Sequence, residues 1–298
     1  MKKDLYQAVT DTIIRDLDFG IRPWMQPWET GGEGGQLNRP LRFNGAPYQG
    51  INVLMLWASA VENGFLSPTW MSFKQAQELG AHVRKGEKGT MVVYAGTLMR
   101  TEINEQTGEE AERGVPFLKS YMVFNADQIE GLPAQYVKPA IAILDPDQRI
   151  AQVERFVAST SADVRHGGAM AFYQPDRDLV QMPVFEAFRS PEGYYATLLH
   201  ELAHWTRHKT RLDRSFGRER WGDEGYAVEE LVAELGAAFL CSDLQITPTV
   251  RKDHAAYIGN WLKVLKNDKR AIFTAASYAQ KAADFLHGLQ TPSEAVGS

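Results

Sequence analysis

The pentapeptide HELAH at residues 200–204 constrains the fold of this chain more than any other stretch. On an α-helix, residues i and i+4 lie on one face about one turn apart, so the imidazoles of His200 and His204 can bind one metal ion. Glu201 projects beside them and is the candidate general base and catalytic residue. The motif therefore predicts a metal-binding helix of the kind found in metallopeptidases.

The residues around the motif predict a helix that is largely buried. Neither proline nor glycine occurs between Tyr194 and Arg207, and Ser190 followed by Pro191 is typical of a helix start. The alternative is a surface helix whose two histidines face water. Such a helix would show a broad polar face, whereas the neighbours here are mostly leucine and alanine. The pattern favours the metal site.

A metal site of this kind needs a further ligand, because catalytic zinc has three protein ligands and one open position. The segment Tyr226–Ala237 predicts a mostly apolar helix that carries three glutamates. Glu230 has Glu234 one turn on, and that second carboxylate can hydrogen-bond a ligand histidine. Glu229 lies nearer the apolar face and the small residues that permit close helix packing. The two criteria disagree, so both Glu229 and Glu230 are candidate ligands; the alternative is that both are solvated charges.

The chemistry expected of such a site is hydrolysis of an amide. The metal lowers the pKa of a water molecule, and Glu201 accepts its proton. Tyr226 or Tyr195 is a candidate donor to the oxyanion, although packing beside a helix is the alternative role for either. The predicted strand Met170–Gln174 can present an edge to an extended peptide. Three histidines in line along one helix cannot all reach one ion. We therefore expect His208 either to support a ligand from behind or to lie at the surface.

Composition narrows the choice of metal and the cellular context. The single cysteine, Cys241, excludes an intramolecular disulfide and cysteine-rich zinc sites, so zinc must be bound by histidine and carboxylate. Zn²⁺ is the expected ion, with Mn²⁺ or another divalent metal as the alternative. No apolar run is long enough to span a membrane, and the N-terminus does not resemble a signal peptide. We therefore expect a cytoplasmic protein with no membrane partner.

Periodicity along the chain predicts an α+β protein of two domains. The predicted helices, besides the motif helix, are 4–19, 52–63, 69–79, 148–159, 226–240 and 255–287. The last of these is expected to break near residues 267 and 268. The predicted strands are 91–100, 119–125, 163–165, 170–174 and 179–182, and the acidic segment 101–114 is expected to be an exposed hairpin loop. Prolines and the lack of a clear period place a linker at 132–147, between domains at 1–131 and 148–290. Residues 291–298 are expected to be a disordered tail.

The net charge of −5 conceals a basic region in the N-terminal half. Between residues 36 and 100 there are seven basic residues and three acidic ones. The basic residues alternate with aromatic ones, a pattern typical of proteins that bind single-stranded nucleic acid. The alternative is that helical aromatics belong to the core and that a charged turn is merely solvated. The candidate DNA-binding residues are Arg39, Arg42, Tyr48, Trp70, Lys74, Arg84, Lys85 and Lys88.

Two stretches of the C-terminal half, HELAHWTRHKTRLD at 200–213 and YAVEELVAELGAAF at 226–239, resemble the plasmid-borne ArdC-type antirestriction proteins. WMQPW at 24–28, YQGIN at 48–52 and WMSFKQA at 70–76 resemble the first domain of the same family. The resemblance covers about residues 4–288, nearly the whole chain.

The resemblance implies an N-terminal α+β domain that binds single-stranded DNA. It implies a C-terminal gluzincin-like metallopeptidase domain, with a small sheet and helices that carry the motif. It also implies shielding of conjugative DNA from host restriction, with a restriction or host-defence component as the possible protein substrate. His200, Glu201 and His204 match the family motif, and similarity to other gluzincin-like peptidases favours Glu230 as the third ligand. Two alternatives are a non-catalytic DNA shield with a structural metal and an intracellular regulatory peptidase without a DNA role.

Overall fold

The N-terminal half of the chain combines helices with a long β-hairpin. The computed structural model describes residues 4–22, 24, 38–103, 110–137, 144–217, 223–247 and 254–290. In the N-terminal half the helices are α1 (Leu5–Asp18), α2 (Ile51–Asn63), α3 (Phe73–Glu78) and α4 (Ala134–Val137). The strands are β1 (Leu41–Arg42), β2 (Thr69–Met71), β3 (His82–Val83), β4 (Thr90–Ile103), β5 (Glu110–Asn125) and β6 (Ile129–Glu130).

The C-terminal half places long helices beside a small three-stranded sheet. Its helices are α5 (Pro146–Thr160), α6 (Pro191–Trp205), α7 (Glu224–Asp243), α8 (His254–Asn267) and α9 (Ala271–Gly288). Its strands are β7 (Asp163–His166), β8 (Phe172–Gln174) and β9 (Leu179–Met182). The predicted α+β class is confirmed, and the predicted break near residue 267 separates α8 from α9.

The hairpin formed by β4 and β5 is longer than the sequence pattern predicted. Its antiparallel register runs from Thr90 opposite Val123 to Ile103 opposite Glu110. The prediction of an exposed loop at 101–114 is therefore wrong in extent, because much of that segment is paired strand. Cross-strand pairing outweighs the low strand propensity of the acidic residues there.

The start of the predicted helix 69–79 is a strand. Trp70 and Met71 of β2 pair with Asn125 and Phe124 of β5, and sheet pairing overrides the helical pattern there. The helix begins only at α3, after Ser72, whose hydroxyl accepts a hydrogen bond from the backbone N–H of Gln75. The Gln75 side chain accepts one from the backbone N–H of Ser72 in return, which completes a capping box.

The small sheet and α7 enclose α6 in the C-terminal half. The sheet has the order β7-β9-β8, with β7 parallel and β8 antiparallel to the central β9, so β8 is an edge strand. Gly236 of α7 lies against α6, where an added Cβ would be 3.1 Å from the Cβ of Ala203. The absence of a side chain at Gly236 lets the two helices approach closely. This close contact places the glutamates of α7 beside the histidines of α6.

The two halves of the chain pack on each other through buried aromatic residues. Trp57 of α2 lies 5.9 Å from Phe239 of α7, and Trp24 lies 6.2 Å from Trp261 of α8, measured between ring centroids. These residues belong to one continuous hydrophobic core. The N-terminal half is therefore packed directly against the helices that carry the candidate metal site.

Some predictions about organisation concern segments that the structure only partly describes. The predicted linker 132–147 contains α4 and the first residues of α5, while residues 138–143 and the predicted tail 291–298 lie outside the described ranges. The domain boundary stays a prediction. Among the residues that the structure does describe, no helix is both long and apolar enough to cross a membrane.

Candidate metal centre

Helix α6 positions the two histidines of the motif as the sequence predicts. Ser190 caps the helix by accepting a hydrogen bond from the backbone N–H of Gly193, and Pro191 occupies the first helical position. The ring centroids of His200 and His204 are 4.8 Å apart. Both histidines are buried, so the alternative of a surface helix with solvated histidines does not apply.

Glu230 of α7 completes a cluster of three possible metal ligands. Its Oε1 lies 3.4 Å from Nε2 of His204, and its Oε2 lies 3.7 Å from Nε2 of His200. The three candidate ligand atoms lie within 4.8 Å of one another. Two imidazole nitrogens and one carboxylate oxygen form a donor set that suits zinc and other divalent transition metals. The residues present therefore fit such an ion.

Glu229 faces the opposite side of the same histidine. Its Oε1 lies 3.0 Å from Nδ1 of His204, at hydrogen-bonding distance, while Nε2 of that ring faces Glu230. The structure therefore places the two adjacent glutamates on the two nitrogens of one imidazole. Glu230 also lies near His200 and belongs to the cluster of three possible ligands, while Glu229 is buried on the Nδ1 side of His204.

Glu234 has the corresponding position beside His200. Its Oε1 lies 3.7 Å from Nδ1 of His200, the ring nitrogen that does not face Glu230. Each histidine thus has one ring nitrogen that faces Glu230. The other ring nitrogen faces Glu229 in His204 and Glu234 in His200. Carboxylates in this position fix the ring orientation and the tautomer of a ligand histidine. The predicted hydrogen bond from Glu234 to a ligand histidine stays a prediction, since the two atoms lie 3.7 Å apart.

Arg214 is a residue next to the candidate metal cluster that the sequence analysis missed. Its guanidinium donates to both carboxylate oxygens of Glu229, each at 2.8 Å. It also donates to Oγ1 of Thr206 at 3.0 Å and to the carbonyl oxygen of Ala203 at 2.9 Å. Arg214 and Glu229 are only 3% and 1% exposed, so this ion pair lies inside the protein. The chain Arg214–Glu229–His204 connects the segment after α6 to the candidate ligand.

The charges in this cluster stabilise one another. Burial by itself raises the pKa of Glu229, but hydrogen bonds from Arg214 and His204 outweigh it and lower that pKa to about 2. Burial also raises the pKa of Glu230, and the charge and hydrogen bonds of the two histidines reverse that shift to well below the ordinary value. Burial lowers the pKa of His204, but the carboxylates of Glu230 and Glu229 raise it to about 10. Both carboxylates are therefore ionised at neutral pH, which favours a cation at this site.

The candidates for proton transfer and oxyanion binding differ in their surroundings. Glu201 is buried, 2% exposed, next to His200 on α6. Burial and then the charge of Glu230 raise the pKa of Tyr226, so its hydroxyl stays protonated and can donate. The Tyr226 hydroxyl lies 3.2 Å from that of Tyr257 and also interacts with Glu230 of the cluster, whereas Tyr195 donates its hydroxyl to Glu154 at 2.8 Å. The proximity to Glu230 favours Tyr226 of the two tyrosines.

Three of the eight predicted DNA-binding residues are buried, and we correct the prediction for them. The guanidinium carbon of Arg39 lies 4.4 Å above the ring of Phe239, and Arg39 also donates to Gln280 at 3.1 Å. Tyr48 and Trp70 are 3% and 1% exposed. These three side chains stabilise the core and the contact between the halves, because protein atoms enclose them. A solvated strand of DNA cannot reach their rings or their charge.

The other five predicted DNA-binding residues are exposed. Arg84 is paired with Glu87 at 2.7 Å in the turn before β4, and Lys74 is paired loosely with Glu78 at 3.6 Å. Exposed ion pairs of this kind exchange partners easily, since each contributes little in water. The exposed set is Arg42, Lys74, Arg84, Lys85 and Lys88.

Comparison with known protein families divides the chain into two matched regions. Residues 3–124 match the model of the N-terminal domain of anti-restriction factor ArdC, and residues 151–278 match a zincin-like metallopeptidase model. The chain is similar to the crystal structure of the antirestriction ArdC protein from plasmid R388 in its metal-free form. That similarity has a TM-score of 0.81 and 48% identity, over 97% of this chain and 98% of the other. Against the Mn(II)-bound structure of the same protein the TM-score is 0.79, with 45% identity over 98% and 100% of the two chains.

Three curated proteins are similar over nearly all of this chain. The uncharacterized protein y4eC of Sinorhizobium fredii (strain NBRC 101917 / NGR234) is 41% identical, over 98% of this chain and 94% of its own length. A DNA primase TraC of Escherichia coli is 39% identical over 96% of this chain, but that alignment covers only 27% of the primase. The chain thus corresponds to about a quarter of this primase, but to almost all of y4eC and of the R388 ArdC protein.

Proposed function

This chain belongs to the ArdC family of antirestriction proteins, and from that membership we propose that it binds single-stranded DNA entering by conjugation and protects it from host restriction. We further propose that its C-terminal half is a metal-dependent peptidase. The cluster of His200, His204 and Glu230 carries this second proposal. The expected setting is the cytoplasm of the cell that receives the DNA.

The proposed metal ligands are His200, His204 and Glu230, with Zn²⁺ as the expected ion and Mn²⁺ as the alternative. The Mn(II)-bound structure of the related ArdC protein supports a divalent ion at such a site. When bound, the ion supplies a Lewis acid that polarises a carbonyl group and makes water more acidic. Glu229 and Glu234 orient the two imidazoles from their outer nitrogens.

The remaining groups supply proton transfer and hydrogen bonding. Glu201 accepts a proton from the attacking water and returns it to the leaving amine. Tyr226 donates its hydroxyl to the oxyanion that develops on the substrate carbonyl. The proposed substrate is a protein of the restriction or defence machinery of the host.

Metal content and hydrolysis test the peptidase proposal together. The full-length protein should contain about one equivalent of Zn²⁺ or Mn²⁺ per chain by mass spectrometry, the ratio set by one cluster of three ligands. His204→Ala should remove it, while Glu201→Gln should retain the metal and abolish cleavage of a denatured protein substrate. Glu154→Gln, which removes the charge of a carboxylate outside the metal cluster but keeps an acceptor for Tyr195, is the control. Full cleavage by the Glu201→Gln variant would exclude this mechanism.

A conjugation assay separates this proposal from its two alternatives. If Glu201→Gln protects incoming DNA as well as the parent protein, the protein is a non-catalytic shield with a structural metal. If reversal of the charges of Arg84, Lys85 and Lys88 leaves protection unchanged, the alternative of a regulatory peptidase without a DNA role gains support.

Binding of single-stranded DNA by the full chain should weaken as salt rises, because neutralised phosphates release counterions. A flat salt dependence, or an equal preference for duplex DNA, would refute the DNA-binding proposal.

A further inference from the structure

One face of the β4–β5 hairpin exposes aromatic rings to solvent. The register places Tyr94 of β4 directly opposite Lys119 of β5. Phe117 and Tyr121 lie two positions on either side of Lys119, so alternation along the strand brings them to the same face. Tyr94 is 58% exposed and Tyr121 is 43% exposed. We refer to Tyr94, Phe117, Lys119 and Tyr121 as the aromatic face.

The rings of this face are held in place by the hairpin itself. The ring centroids of Tyr94 and Phe117 are 5.8 Å apart, and Nζ of Lys119 lies 5.1 Å from the centroid of Phe117. Gly96 lies opposite Phe117, where an added Cβ would be 2.6 Å from Cζ of the Phe117 ring. A side chain at position 96 would therefore displace this ring. The glycine allows the aromatic ring to pack against the backbone of the neighbouring strand.

The charges around the aromatic face are basic. Residues 90–98 and 115–123 contain no aspartate or glutamate, and Lys119 lies among the rings. At the base of the hairpin the guanidinium carbon of the exposed Arg42 lies 5.2 Å from the ring of Tyr48, whose hydroxyl interacts with that of Tyr121. The exposed acid Glu112 lies toward the far end of the hairpin. These charges therefore favour the binding of a polyanion along the basal part of the hairpin and disfavour it near the tip.

The exposed rings lie on neighbouring strands and have cations beside them. This combination suits unpaired bases with their phosphates better than it suits an apolar partner. Sheet domains that bind single strands stack two or three bases on such aromatics, while cations contact the phosphates. We propose that the aromatic face stacks unpaired bases of single-stranded DNA, with Lys119 and Arg42 contacting its phosphates. This inference rests on the DNA-binding function proposed above. It adds a base-stacking site to the basic turn at 84–88.

Substitution on the two faces of the hairpin tests this inference in the full-length protein. The probe is a short fluorescein-labelled oligothymidylate, and the dissociation constant is measured by fluorescence anisotropy. Phe117→Ala and Tyr94→Ala should each weaken binding about tenfold, within the range expected for loss of one stacked base. Phe117→Trp should retain the affinity, since the larger ring still stacks. Met99→Ala, which removes a side chain 60% exposed on the opposite face, should change nothing.

Several results would overturn the inference, and they are distinguishable. If the parent protein binds the oligonucleotide and Phe117→Ala binds it equally well, the aromatic face is not the site, while the proposed function stands. Equal losses from Met99→Ala and Phe117→Ala would also exclude a specific face. If Phe117→Ala instead reduces self-association in sedimentation velocity without changing DNA affinity, the face contacts a second copy of the chain. If the parent does not bind single-stranded DNA at all, the proposed function fails together with this site.

Discussion

Replacing Arg214 with methionine should reveal how strongly the buried carboxylate of Glu229 depends on its partner. The guanidinium makes two 2.8 Å hydrogen bonds to Glu229 and two further bonds to Thr206 and the carbonyl oxygen of Ala203. Methionine preserves much of the side-chain volume but supplies no donor. The variant therefore contains an ionised carboxylate, 1% exposed, that has lost its only bidentate partner among the described residues.

The expected loss of stability follows from this burial. Removing one partner of a buried ion pair costs about 3–5 kcal/mol, because the remaining charge is left without compensation. For a chain of 298 residues such a loss lowers Tm by roughly 5–8 °C. Glu229 also orients His204 through Nδ1, at 3.0 Å. Loss of such an outer contact typically weakens metal binding about 10- to 100-fold.

Two measurements and one companion variant complete this test. Thermal unfolding reports the stability, and competition with a fluorescent chelator reports the affinity for Zn²⁺. The double variant Arg214→Met with Glu229→Gln should recover part of the stability, since it removes the uncompensated charge. If Arg214→Met unfolds at the same temperature as the parent and binds metal equally well, the proposed role of the pair is wrong.

Three further predictions address the metal ligand, the helix contact and a peripheral ion pair. Glu230→Gln should lower the metal content measured by mass spectrometry, whereas retention of a full equivalent would contradict the ligand assignment. Gly236→Val should lower the free energy of unfolding, measured in urea, by about 1–3 kcal/mol. The Cβ of the new side chain would lie only 3.1 Å from the Cβ of Ala203. Hydrogen bonds from Arg211 lower the pKa of Asp178, so this pair stabilises the fold above the ordinary carboxyl pKa near 3.8 and loses that effect as pH falls below it. Arg211→Met should therefore lower Tm more at pH 7 than at pH 3, and an equal loss at both pH values would count against the pair.

Several features of the fold and the site were predictable because they depend on residues close together in the chain. The spacing of His200 and His204 brings both rings to one face of any α-helix. Ser190 and Pro191 mark the start of that helix through a local cap, which the structure reproduces. The element boundaries predicted in the N-terminal half were less accurate. Strand pairing between distant segments decides whether Thr69–Met71 and residues 101–114 are extended, and local propensity does not record that pairing.

The spacing of the motif requires a helix with two histidines on one face, and a metal there needs a further ligand, for which the sequence offers two adjacent glutamates. The packing of α7 on α6 places Glu230 near both histidines and Glu229 at Nδ1 of His204. Adjacent residues on a helix project about 100° apart, so the rotation of α7 against α6 makes the choice. The close contact at Gly236 helps to set that rotation. Arg214 lies in a polar segment without periodicity, so only folding could show that its charge is buried beside the site.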